Sequence, residues 1–194
     1  MQRARILLYA LCIIIISSCS PRYYFTNYSF PRPVKENAFS YKKKGFRLNS
    51  DIIDTGSIYC YSLPADYPQY IWCFRFFPEG QVLTYLFYNR EKKPDLSSWF
   101  DISKFDEPGY GSPGYYHIEN NTIRIEEFGI GPHFGRHGGG TFWHWYGTIS
   151  KDSINLDSEH IGKSYNSGYF LRFHGRKQPY IKSGIHPKYF KPDW

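Results

Sequence analysis

Residues 114–128 read GYYHIENNTIRIEEF, and this stretch decides the fold. Asn120 and Asn121 tolerate the positive φ angles that a two-residue hairpin turn requires. Closing two strands around that turn makes apolar pairs on one face and polar pairs on the other. The apolar face pairs Ile118 with Ile123 and Tyr116 with Ile125, and the opposite face pairs His117 with Arg124 and Tyr115 with Glu126. The alternation predicts an antiparallel hairpin that turns its apolar face to a core.

Upstream of this hairpin, three aromatic runs predict further strands over residues 58–63, 70–77 and 81–88. A proline-containing turn separates the first two runs, and Pro78-Glu79-Gly80 joins the last two, where glycine supplies a positive φ. Aromatic and β-branched residues suit a pleated, half-buried surface. We expect one strongly apolar core face in the second hairpin, formed by Trp72, Phe74 and Phe76 with Leu83, Tyr85 and Phe87.

Downstream, residues 141–150 form another aromatic run, and Lys151-Asp152 turns it into 153–156, with Ile149 opposite Ile154. A last strand is predicted over 168–173. Between the predicted strand over 81–88 and the hairpin over 114–128, Asp95 could cap one short helix. That helix would place Leu96, Trp99 and Phe100 on one side. The pattern predicts an all-β, antiparallel meander of about seven or eight strands, closed as a barrel or strongly bent, with one short helix.

Residues 1–19 carry the parts of an export signal. Arg3 and Arg5 precede an unbroken apolar run over 6–16, which is too short to span a bilayer as a helix. The run ends at Ile16-Ser17-Ser18-Cys19, which resembles the lipobox of bacterial lipoproteins, so that Cys19 would carry the lipid. The resemblance implies a signal peptide over 1–18 and a lipid on Cys19. The prolines and the lack of a sustained period predict an irregular tether over 19–45, the strand signals predict a β domain over 46–175, and the remaining residues 176–194 form a C-terminal tail.

Charge and cysteine content narrow the class of protein. Lys and Arg outnumber Asp and Glu by 24 to 17, a modest excess that is spread along the chain. An exported protein also has little occasion to meet nucleic acid, so a nucleic-acid-binding function is not expected.

Cys60 and Cys73 flank a predicted turn at similar distances. Export permits a cross-strand disulfide between them, and two small buried thiols are the alternative.

Several turn-and-strand motifs resemble small lipocalin-like lipoproteins of Gram-negative envelopes. These motifs are Phe76-Phe77-Pro78-Glu79-Gly80, Gly114-Tyr115-Tyr116-His117-Ile118 with Asn121-Thr122-Ile123, and Gly147-Thr148-Ile149 with Ser153-Ile154. The resemblance covers most of residues 46–175 and implies a lipocalin-like barrel without catalytic residues. The Gly-x-Trp signature of true lipocalins is missing, because Gly56 is followed by Ser57 and Ile58. The residue after Cys19 is Ser20 and not Asp, which by resemblance to bacterial lipoproteins implies the outer membrane. No acidic cluster follows Ser20, which implies a protein that faces the periplasm.

Three histidines, His133, His137 and His144, crowd one region of the sequence. Imidazole is a common zinc ligand, and Glu126 or Glu127 could add an oxygen ligand. The glycines around His133 and His137 exclude a helix, so a metal site here would be loop-borne. Surface histidines on a loop are the alternative interpretation.

Residues 52–57 read IIDTGS and resemble the catalytic turn of aspartic proteases. That chemistry needs two carboxylates that share a proton. A second Asp-Thr-Gly is absent from the chain, so Asp54 could act only in a homodimer. A turn that opens the first strand explains the same residues.

Trp143 and Trp145 alternate on one face of their predicted strand, with Phe142, His144 and Tyr146 on the other. They either pack in the core or form an aromatic platform. A ligand would be expected between loops 109–114 and 135–140, with Trp99, Trp143 and Trp145 as its wall. The prediction is a non-enzymatic binding or accessory protein, attached to a membrane by lipid, with no cofactor. Its partners would be an apolar small molecule, a glycan or an envelope protein, and a metal-dependent enzyme is the alternative.

Overall fold

A computed structural model describes residues 23–34, 39–41, 52–62, 70–88, 101–130, 140–161, 170–172, 178–192 and 194. The strands are β1 Tyr23–Phe25, β2 Pro31–Pro33, β3 Ile58–Ser62, β4 Tyr70–Phe76, β5 Gln81–Tyr88, β6 Ser112–Glu119, β7 Thr122–Gly129, β8 Thr141–Ile149, β9 Ser153–Ile161, β10 Phe170–Arg172 and β11 Gln178–Lys182. A 3-10 helix spans Ile102–Asp106.

The molecule is a closed, eight-stranded antiparallel β-barrel. Strands β3 to β9 pair with their neighbours in chain order, and β11 pairs with both β9 and β3, which closes the cylinder. β10 and β11 lie along the same edge of β9. β11 pairs with residues 153–156 of β9, and β10 pairs with residues 158–160. Closure removes the exposed sheet edges that would otherwise invite aggregation. The predicted all-β barrel is therefore confirmed.

The register of the β6–β7 hairpin is the predicted one. Asn120 and Asn121 have φ angles of 48° and 62°, and Ile118 pairs with Ile123. The polar side of this hairpin is less exposed than the alternation indicated, because Glu126 is only 1% exposed. The backbone N–H of Tyr41 donates to its Oε2 at 3.1 Å, so a segment outside the barrel covers this carboxylate.

The predicted core face of the β4–β5 hairpin was wrong. The N–H of Phe77 donates to the carbonyl of Gln81 at 2.9 Å, which makes Phe76 the partner of Val82. Because partners share a face, Leu83, Tyr85 and Phe87 lie on the face opposite Trp72, Phe74 and Phe76. Both faces are apolar, and the structure buries both except around Trp72 and Leu86, which are partly exposed.

One core fills the inside of the barrel. All eight barrel strands contribute to it, and Ile53 covers it at the end with the tight turns. Each such buried side chain contributes about 1.5 to 3 kcal/mol relative to exposure. Its buried members are Ile53, Tyr59, Phe74, Phe76, Val82, Tyr116, Ile123, Ile125, Trp145, Ile149, Ile154, Leu156 and Tyr180.

A second core lies on the outer face of the barrel wall. Phe39 from the N-terminal segment, Phe105 from the 3-10 helix and Trp194 at the C-terminal end pack on it. The remaining buried members come from the wall and the turn after β4: Ile58, Cys60, Ile71, Cys73, Phe77, Leu83, Tyr85, Phe87, Tyr115 and Phe128. The segments predicted as tether and tail therefore contribute packed residues to the same domain.

The C-terminal boundary of the β domain at residue 175 was placed too early. β11 lies beyond it and supplies the closing strand of the barrel. Pro179 inside this strand weakened its sequence signal, since proline cannot donate to a ladder. The helix predicted around Asp95 lies outside the described residues. In the part of the chain that is described, no helix is long and apolar enough to cross a membrane.

Cys60 and Cys73 are directly paired residues of β3 and β4 and form a disulfide. They are 13 positions apart in the sequence, and a loop of this size loses enough unfolded-state entropy to stabilise the native chain by about 3 kcal/mol. Replacing both cysteines by alanine should lower the free energy of unfolding in urea by that amount. A reducing agent should lower it equally in the wild type and leave the double variant unchanged. Equal stability of the oxidised wild type and the double variant would contradict this.

Candidate functional site

The two ends of the barrel differ. The tight turns 77–80, 120–121 and 150–152 lie at one end, where Ile53 packs. The opposite end of the barrel contains the C-terminal ends of β3, β5, β7 and β9. The connections that follow these four strands are all longer than the tight turns. We call the inward-facing residues of this second end, Tyr61, Trp72, Leu86, Glu127, Trp143 and Trp145, the barrel mouth.

Three tryptophans from opposite walls meet in the barrel mouth. The rings of Trp72 and Trp145 are 5.9 Å apart and nearly perpendicular, and those of Trp143 and Trp145 are stacked at 6.2 Å. Trp145 is 4% exposed and forms the floor, whereas Trp72 and Trp143 are half-buried. Leu86, the cross-strand partner of Trp72, is 47% exposed. Apolar surface at this end of the barrel therefore reaches solvent.

A carboxylate lies beside the tryptophans. Glu127 is the cross-strand partner of Trp143, and its Oε2 accepts a hydrogen bond from Nε1 of Trp145 at 3.3 Å. The residue is 8% exposed. An ionised carboxylate accepts hydrogen bonds and cannot donate them. The barrel mouth thus combines aromatic surface with one acceptor of fixed position.

A hydroxyl lies nearby on the same inner wall. Thr84 is on β5 between Val82 and Leu86, is 4% exposed, and pairs with Phe74. Its Oγ1 is buried with no hydrogen-bond partner among the described residues. Buried polar groups are normally hydrogen-bonded. This hydroxyl is therefore a second polar group that a ligand could contact, on the inner wall and deeper in the barrel than Leu86.

The structure joins only some of the residues that the sequence singled out as a ligand wall. Trp143 and Trp145 share one face of β8, as the alternation predicts, and of the two alternatives left open for that face the structure has the inward one. Trp99 lies outside the described residues. Trp72 completes the group and was assigned only to packing, because its approach to Trp145 depends on barrel closure. The alternation that indicated an inward tryptophan on β8 holds equally for Trp72 on β4.

The predicted histidine cluster is only partly described. His144 is 2% exposed and pairs with Glu126 on the outer face, with its ring 6.2 Å from that of Tyr41. It therefore lies on the opposite side of β8 from Trp143 and Trp145. His133 and His137 fall outside the described residues, as does Cys19. Within the described ranges, no three acidic, histidine or cysteine side chains are grouped closely enough to hold a metal ion.

Asp54 serves the turn that precedes β3. Its carboxylate accepts hydrogen bonds from Gly56 N and Ser57 Oγ, each at 2.9 Å, and lies 3.6 Å from Nζ of Lys182. Burial acts to raise the pKa of Asp54, but these hydrogen bonds and Lys182 outweigh it and the pKa is lowered. Ser57 is fully buried. The geometry is that of a turn tied to β11, which supports the structural interpretation of the Asp-Thr-Gly-Ser motif.

Comparison with protein-family models, curated proteins and solved structures finds no match to this chain.

Proposed function

We propose that the protein is a lipid-anchored, non-enzymatic binding module of the bacterial envelope, facing the periplasm from the outer membrane. The lipobox-like sequence that ends at Cys19 supports the anchor, and the motif resemblance to lipocalin-like lipoproteins supports the class. The observation that carries the binding role is the meeting of Trp72, Trp143 and Trp145 with Glu127 in the barrel mouth.

The chemistry of the barrel mouth defines the ligand. The indoles offer apolar surface, and Glu127 in its ionised form offers only acceptor atoms, so this form selects a ligand with an apolar part and a hydrogen-bond donor. An anionic ligand would be repelled by the same carboxylate. Below the mouth, Phe74, Phe76 and Tyr116 fill the barrel and are at most 1% exposed. The ligand is therefore held at the mouth, against Trp145, and does not pass through the barrel.

Intrinsic tryptophan fluorescence tests this function with two probes of equal chain length. Octyl glucoside carries an alkyl chain and hydroxyl donors, and octanoate carries an alkyl chain and a negative charge; both are used below their micelle concentrations. We expect saturable quenching by octyl glucoside, with at least about tenfold weaker binding of octanoate, a difference of 1.4 kcal/mol. The variant Glu127→Gln should reduce this preference, because it removes the negative charge and retains an acceptor.

Two further variants locate the site. Trp143→Ala should weaken octyl glucoside binding by about fivefold or more, because the truncation of an aromatic anchor costs more than about 1 kcal/mol. Tyr189→Ala, which removes an exposed ring on the C-terminal segment, should leave binding unchanged. Equal affinities for the two probes, or an effect of Tyr189→Ala as large as that of Trp143→Ala, would overturn the assignment.

A further inference from the structure

The N-terminal hairpin β1–β2 combines a firm attachment with exposed aromatic surface. Oγ1 of Thr26 donates to the carbonyl of Gly109 at 2.8 Å, and the Tyr28 hydroxyl donates to Oε2 of Glu107 at 2.7 Å. Arg32 is 1% exposed and donates to the carbonyl of Gly111 at 2.8 Å. The ring of Phe30 packs edge-on against that of Tyr110 at 4.8 Å. The hairpin is thus held against the loop that precedes β6.

Four large side chains of this small element are exposed nevertheless. Tyr24 is 49%, Phe25 52%, Tyr28 37% and Val34 52% exposed. Tyr24 and Phe25 are consecutive residues of β1 and project to opposite sides of the hairpin. Scattered single apolar side chains are normal on a protein surface, but four within residues 24–34 mark this element, on both of its sides, as a candidate interaction element. We call these four residues the hairpin patch.

The position of the hairpin patch in the chain indicates its partner. β1 begins at Tyr23, four positions after Cys19. A fully extended chain advances at most about 3.6 Å per residue, so Tyr23 lies within about 15 Å of the cysteine. If Cys19 carries a lipid, the hairpin cannot leave the immediate neighbourhood of the bilayer surface. Tyrosine and other amphipathic aromatic residues are favoured at the depth of the lipid head groups.

We propose that the hairpin patch docks on the membrane surface and fixes the orientation of the barrel relative to it. This inference rests on the lipid anchor in the proposed function.

Photo-crosslinking tests the docking in the lipidated full-length protein. The protein is inserted into vesicles of phosphatidylethanolamine and phosphatidylglycerol that contain a photoactivatable phospholipid, and mass spectrometry maps the crosslinked residues. We expect crosslinks concentrated in residues 24–34. The double variant Tyr24→Ser, Phe25→Ser should lower the yield there at least about fivefold, because its side chains no longer favour the head-group region.

The control variant is Tyr189→Ser. Tyr189 is 61% exposed on the C-terminal segment, so its replacement should leave the yield in residues 24–34 unchanged. Crosslinks spread evenly over the chain of a vesicle-bound protein, or concentrated at Tyr189, would overturn the docking. If Cys19 carries no lipid, the wild type and the Cys19→Ser variant should both be released from the vesicles. That result would contradict the lipid anchor and is distinguishable from a failure of the docking.

Discussion

Replacing Gly147 by alanine is expected to lower the free energy of unfolding by about 4 kcal/mol, which is exceptional for the addition of one methyl group. The pairing of β8 with β9 shifts register between Tyr146 and Gly147, as at a β-bulge, which bends a strand and increases its local twist. A Cβ atom at Gly147 would lie 2.8 Å from Cα of Leu156 and closer still to the carbonyl oxygen of Asn155. Both are backbone atoms, so a rotamer change cannot relieve the clash.

Urea unfolding followed by circular dichroism measures this effect. The matched control is Gly184→Ala, because a Cβ atom at Gly184 would meet nothing within 4 Å. The control should stay within about 0.5 kcal/mol of the wild type, as is usual for surface substitutions. Equal stabilities of the two variants would show that β9 does not approach β8 as closely as described.

Replacing Arg75 by alanine is expected to cost a similar amount, about 4 kcal/mol, because charge-assisted hydrogen bonds contribute about 1.5 to 3 kcal/mol each. Arg75 is 2% exposed. Its guanidinium donates to the carbonyls of Phe105 and Lys188, and its Cζ lies 4.9 Å from the ring centre of Phe77 and 4.5 Å from that of Phe190. Burial lowers the pKa of this guanidinium. One side chain thus ties the 3-10 helix and the C-terminal segment to the barrel wall.

Limited proteolysis separates this role from a general loss of stability. In Arg75→Ala, cleavage within residues 183–192 should become faster than cleavage in the barrel, because the variant leaves the Lys188 carbonyl without its donor. The control is Lys182→Met, which removes a partly exposed pairing with Asp54 and Asp152. Surface pairs contribute little to stability, so this control should stay close to the wild type. Uniform cleavage along Arg75→Ala would contradict the tie.

The sequence predicted the register of the β6–β7 hairpin, because two asparagines and an alternating pattern specify it without help from the rest of the chain. It did not predict the burial of Glu126 on the polar face of that hairpin. It could not specify the faces of β4 and β5, where large apolar residues occupy both sides. Alternation identifies a core face only when the other face is polar. Here the N- and C-terminal segments cover the outer face, and that cover is a property of the assembled fold.

The candidate site was predictable in its parts and not in its assembly. The alternation on β8 predicted that Trp143 and Trp145 share one face and left open whether that face lies in the core. Their meeting with Trp72 requires the β11 seam to close across more than a hundred residues of chain. Glu127 was considered only as a metal ligand. Its inward direction follows from the predicted register of β7, but its bond with Trp145 depends on the neighbouring strand.

The closing strand of the barrel has a consequence for the order of folding. β11 pairs with β3 and β9, so the cylinder cannot be completed until the chain as far as residue 182 is free to fold. Before that moment β3 and β9 present unpaired edges, which are templates for association with other chains. A truncation before residue 178 should therefore yield an aggregating product, because β3 and β9 then keep those unpaired edges.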